Sequence, residues 1–207
     1  MIRRAVLVMG AVVVSLLVIP VGVASARLLV RSDPVATGVT NCGGAWTGTL
    51  KFTPPLINGG TSTSEEISLK ATAKPCAGGT PPPVKGKING KGVIFGTGAN
   101  NCATVFAGGT FSFSTAQFVE VIKWNPTSIS PSRASFPSVT EGNVVDAPYV
   151  NFFFNVGVIA GSYSPFATTQ SITTVKTLAT ITGPADCGST GGVASLAIRG
   201  AQSTGSY

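Results

Sequence analysis

Beyond residue 41 the apolar positions of this chain recur with a period of two, the spacing of a β-strand with one wet face. In Ala45–Thr53, Trp46, Leu50 and Phe52 alternate with Thr47, Thr49, Lys51 and Thr53. Pro54-Pro55 is expected to stop that strand, and Asn58-Gly59-Gly60 to turn the chain. Glu66–Lys74 sets Ile67, Leu69, Ala71 and Ala73 inward against Ser68, Lys70, Thr72 and Lys74. Val84–Ile88 and Lys91–Phe95 flank Asn89-Gly90, which predicts a hairpin with a type I′ turn. Thr104–Ala107 and Thr110–Ser114 predict a second around Gly108-Gly109. Gln117–Trp124 carries Phe118, Ile122 and Trp124 on one face, with Glu120 among them. Val139–Val145 reads as a short hairpin around Glu141-Gly142-Asn143, Val150–Ile159 as the most buried strand, and Gln170–Thr182 as a long β-branched one. Val193–Arg199 closes the domain, alternating Val193, Ser195, Ala197 and Arg199 against Ala194, Leu196 and Ile198. Cys76–Pro83 is expected to be an irregular connection, and Asn125–Pro137 a Pro/Ser-rich crossing. The prediction is an all-β domain of about eight to ten strands, an antiparallel β-sandwich or an up-and-down β-barrel.

The N-terminus follows a different pattern. Arg3 and Arg4 precede an uncharged apolar run from Ala5 to Val23, and Ala24-Ser25-Ala26 supplies a small-x-small cleavage pattern. This predicts a signal peptide over 1–26, cleaved after Ala26, then a flexible lead-in over 27–41 and one all-β domain over 42–207. An uncleaved anchor is the alternative, since the run is long enough to cross a bilayer; Pro20, Gly22 and the Ala24/Ala26 pair favour cleavage. Export permits disulfides. Cys42, Cys76, Cys102 and Cys187 have no C-x-x-C spacing and no histidine accompanies them, so two disulfides are expected and no metal site. Of the three pairings, Cys42–Cys76 with Cys102–Cys187 is favoured, because each then closes a run of consecutive strands.

Charge and composition narrow the chemistry. Without Arg3 and Arg4 the chain keeps 12 basic and 7 acidic residues, a net +5. Only Lys85, Lys87 and Lys91 cluster along the sequence, so no nucleic-acid partner is expected. The absence of histidine removes His-based triads and most catalytic zinc sites. A glycosidase would need two carboxylates in one cleft, and Glu120 with Glu66 or Glu141 is the best pair on offer. Glu120 is instead expected near a sheet edge or facing solvent. The glycines of NGKGVIFGTG lack phosphate-loop spacing and read as strand and turn residues. No catalytic residue is assigned, and no cofactor or metal is expected.

Binding material is aromatic: Trp46, Trp124, Tyr149 and Tyr163 could stack on sugars or line a cavity, although core packing is the expected place for Trp46 and Trp124. Phe152-Phe153-Phe154 puts rings on both faces of one strand. The expected role is non-enzymatic, binding or structural, for a monomer outside the cell or at its envelope. Its partner would be an envelope component, a glycan or a lipid. The alternatives are a barrel holding a small apolar ligand, a hydrolase of extracellular glycans, and an envelope-spanning β-barrel. The outward Thr and Lys faces argue against the last.

The stretch CGGAWTGTLKFTPPL, followed by Cys76, NNCATV and IKWNPTSISPS, resembles small secreted, disulfide-containing β-rich proteins of actinobacteria. That resemblance implies export, disulfides and a β fold, and carries no catalytic or binding residues. Gly44-Ala45-Trp46-Thr47-Gly48 is similar to the G-x-W of avidin-like and lipocalin-like barrels, which keeps a closed barrel in view.

Overall fold

The computed structural model describes residues 35–43, 46–108, 110–112, 118–142, 148–163 and 167–202. The expected signal peptide and residues 27–34 of the lead-in lie outside them. In chain order the strands are β1 (Thr37–Cys42), β2 (Thr47–Leu56), β3 (Ser64–Ala73), β4 (Cys76–Thr80) and β5 (Lys85–Phe95). A helical turn α1 (Cys102–Val105) precedes β6 (Thr110–Ser112), β7 (Phe118–Asn125), β8 (Ser132–Phe136), β9 (Ser138–Gly142), β10 (Tyr149–Gly161) and β11 (Ala167–Thr177). A second turn, α2 (Leu178–Ile181), leads to β12 (Val193–Gln202). The domain is all-β, as the alternation predicts.

One antiparallel sheet of ten strands holds most of the chain, in the order β11-β12-β2-β3-β5-β7-β8-β10-β9-β6. It curls into a barrel-like body, because β10 pairs with β11 as well as with β8 and β9. β1 and β4 make a separate two-stranded sheet. The inward rows supply the core: Trp46, Leu50 and Phe52 from β2 and its approach, Ile67 and Leu69 from β3, Ile122 and Trp124 from β7.

Several local expectations fail for tertiary reasons. Asn89-Gly90 is no turn: β5 runs straight through it, paired with β3 on one side and β7 on the other. Gly90 serves close packing, since a Cβ there would lie 2.5 Å from Cε1 of Phe118 and 3.0 Å from Cγ of Glu120. Gly86 faces Trp124 in the same way, and Gly157 faces Phe136, so large rings lie over glycines of the adjacent strand. Pro54-Pro55 does not stop β2, which continues to Leu56. Thr104–Ala107 does not form a strand; Asn101 caps a helical turn there by accepting a hydrogen bond from Ala103 N at 3.0 Å. Cys76–Thr80 is strand after all, with Gly78 and Gly79 at φ +84° and +73°, and pairs with Thr37–Cys42, all but the last residue of which lie in the lead-in expected over 27–41. Ser132–Phe136 is a strand inside the expected crossing. Ser138–Gly142 is a strand, and the remainder of the hairpin expected over Val139–Val145 lies outside the described residues. In β12 a register shift between Val193 and Ser195 lets Val193, Leu196 and Ile198 all point inward.

The disulfides are Cys42–Cys76 and Cys102–Cys187, the favoured pairing. They lie at opposite ends of β2. The β1/β4 sheet is held by Trp46 Nε1 donating to the Cys42 carbonyl at 3.0 Å, Tyr163 N to Ala36 O at 2.7 Å and Tyr163 Oη to Pro81 O at 2.8 Å. Beyond Leu56, Cys102 N donates to Ile57 O and Asn58 N to Cys187 O, both at 3.0 Å, and Cys102, Ile181 and Cys187 are buried. Disulfide-linked segments thus pack against both ends of β2.

Candidate functional site

Strand pairing assigns each chemically interesting side chain to one side of the sheet. On the inside, Phe118 and Phe154 have ring centroids 4.7 Å apart, Phe136 and Phe154 5.6 Å, and Trp124 and Tyr163 5.1 Å. These rings pack on one another. Trp124 Nε1 donates to Ser132 Oγ at 2.8 Å, which in turn donates to the Ser162 carbonyl. Of the four residues considered for ligand stacking, Trp46, Trp124 and Tyr163 are therefore core. Tyr149 is half-buried beneath the Arg199 guanidinium, 3.6 Å from its ring centroid.

Two carboxylates are also inside. Glu120 is neither at an edge nor facing solvent, as had been expected; it is wholly buried in the middle of the sheet and accepts a hydrogen bond from Gln170 Nε2 at 2.6 Å. Gln170 lies on β11, far along the chain, so no local pattern announces the pair. Burial raises the Glu120 pKa from 4.5 to about 8, with the Gln170 hydrogen bond pulling the other way. Glu65 is buried too, and burial raises it likewise to about 8, opposed by the Thr53 main chain and reinforced by the Glu66 charge. In both, burial favours the neutral acid over the carboxylate. Glu66 points to the opposite face and meets Lys91 at 2.7 Å, so Glu66 and Glu120 do not share a cleft. The side chain of Glu141 lies outside the description.

The outside of the sheet is where sequence reasoning missed a feature. Lysines far apart in the chain become neighbours through register. Thr47 pairs with Thr72, Thr72 with Lys87 and Lys87 with Lys123. The next row is Thr49, Lys70, Asn89, Val121 and Arg133, and the next Lys51, Ser68, Lys91 and Val119. Lys51, Lys70 and Lys87 each step one strand and two residues from the last, a diagonal of cations roughly 8 Å apart. Among the described residues no salt bridge engages Lys51, Lys70, Lys87 or Lys123. Between Lys70 and Lys87 lies an open groove of about 290 Å³, walled by Thr47, Thr72 and Asn89 and floored by the backbone of Gly48, Ala71 and Ile88.

No protein-family model, curated protein or solved structure matches this chain. The basic face must be read from its own chemistry. It offers ammonium groups, hydroxyls and a carboxamide. Among the described residues no cluster of His, Cys, Asp and Glu could hold a metal ion.

Proposed function

We propose that this chain is an exported, disulfide-bonded β domain with a binding or structural role, acting outside the cell or at its envelope. The supporting observation is the use of all four cysteines in two buried disulfides at opposite ends of β2, in a chain that starts with a signal-like segment. Such bonds persist in oxidising compartments and are rare where thiols are kept reduced. Interior rings in mutual contact, and an outer face rich in unbridged lysines, favour recognition on the outside of the barrel. The role is non-enzymatic on this reading: Glu120 is enclosed in the interior against Gln170, and Glu66, on the opposite face, is engaged by Lys91.

The test is to produce the full chain in a bacterial host, fractionate the cells, and determine the N-terminus and free thiols of the recovered protein. The expected product starts at Arg27, lies outside the cytoplasm and has no free thiol before reduction. A cytoplasmic product that retains Met1 and four free thiols would overturn the reading.

A further inference from the structure

We infer that the outer face of β2, β3, β5 and β7 is a docking surface for a linear, carboxylate-bearing polysaccharide, with the Lys70/Lys87 groove seating one sugar unit. The inference rests on the proposed role outside the cell and names the partner chemistry for it.

Four observations carry it. First, the charge is one-sided: Lys51, Lys70, Lys87, Lys91 and Lys123 share this face, and Glu66 is the acidic side chain among its paired rows. Second, the repulsion is left standing. Lys87 and Lys123 are direct cross-strand partners, an arrangement that destabilises a sheet unless a counter-charge covers it. A polyanion laid across the diagonal would supply that counter-charge. Third, the groove between the cations is walled by Thr47, Thr72 and Asn89, groups that both donate and accept. Sugar hydroxyls do the same, whereas phosphodiester oxygens only accept, so the lining matches a glycan better than a polyphosphate. Fourth, the rows hold no aromatic side chain on which nucleic-acid bases could stack. Their apolar members, Val119 and Val121, are half-buried, and the curled sheet presents a convex face, which is poor geometry for lying on a flat bilayer.

The test uses the exported chain with both disulfides intact and measures affinity by isothermal titration at low ionic strength. The probes are polygalacturonate oligomers, neutral dextran, inorganic polyphosphate and phosphatidylglycerol vesicles. Polygalacturonate is expected to bind, to weaken as salt is raised, and to lose at least roughly tenfold in affinity in the Lys70→Ala/Lys87→Ala variant. Lys176→Ala, which removes a β11 cation paired with Asp186, is expected to change it less than about twofold. Circular dichroism of the variants checks folding, and both altered lysines of the double variant are exposed. The inference is overturned if polygalacturonate does not bind, if the double variant binds like the wild type, or if polyphosphate or vesicles bind as tightly. Each of those results in a protein still exported with both disulfides leaves the extracellular role standing; a cytoplasmic, reduced protein removes that role whatever the sugars do.

Discussion

Glu120→Gln probes the barrel interior through an unusually clean titration. The chain has no histidine, so between about pH 5 and 7.5 few ordinary side chains change charge. Glu120 and Glu65 are raised by burial from 4.5 to about 8, so their unfolded and folded values bracket that range. Between those values the folded chain holds both protons and the unfolded chain has released them. The contribution of each neutral acid is therefore complete below the unfolded value of 4.5, declines as pH rises, and is lost through about 8. In mid-range each retained proton gives a slope of about 1.4 kcal/mol per pH unit, so the two together change stability by up to roughly 5 kcal/mol over two units. Gln at position 120 keeps the shape and an acceptor for Gln170 and removes one proton-binding group. Urea unfolding at pH values from about 5.5 to 7.5 should give midpoints that fall with pH in the wild type, at constant m, and fall about half as steeply in the variant. A wild-type midpoint that is flat or rises over this range, or a variant that keeps the full slope, would refute a buried, protonated Glu120.

Other outcomes follow from packing, cross-links and charge. Gly90→Ala drives a methyl group into the Phe118 ring and should cost about 1–3 kcal/mol in thermal or urea unfolding, while Gly191→Ala, with nothing within 4 Å, should stay within about 0.5 kcal/mol. Replacing Cys102 and Cys187 together by Ala opens a loop spanning 85 residues, worth up to about 4.5 kcal/mol by chain entropy. The same change at Cys42 and Cys76, which span 34, is worth up to about 4 kcal/mol, and differential scanning calorimetry should show the smaller loss there. Lys123→Thr removes the like charge opposite Lys87 and should raise stability by a few tenths of a kcal/mol at low salt, a gain that fades at high salt.

Much of the fold was legible because a period-two pattern needs only local residues. Glu66–Lys74 alternates cleanly, and its inward row of Ile67, Leu69, Ala71 and Ala73 is the one buried, as are Phe118, Ile122 and Trp124 of the next such segment. The failures share a cause: a residue chosen for a distant neighbour looks like a residue chosen for its own backbone. Asn89-Gly90 has the composition of a turn, yet the glycine is required by the ring of Phe118 on the next strand. Ser132–Phe136 hid because Ser132 and Ala134 face inward without being visibly apolar, Ser132 being needed by the Trp124 indole. Glu120 sat on an inward row throughout, but its partner Gln170 comes from the other side of the barrel. The basic face was invisible for the same reason. Lys51, Lys70, Lys87 and Lys123 lie far apart along the chain, and only register brings them together.

The central claim is that an exported domain uses its basic outer face, not its interior, to hold material of the cell envelope. Co-sedimentation tests it most directly. Exported wild-type protein and the Lys70→Ala/Lys87→Ala variant are mixed with isolated, washed envelopes of the producing cells at low and high salt. The account predicts that the wild type sediments at low salt and is released at high salt, while the variant stays largely in the supernatant. Equal sedimentation of both proteins, or a wild type that remains in the supernatant at low salt, would contradict it.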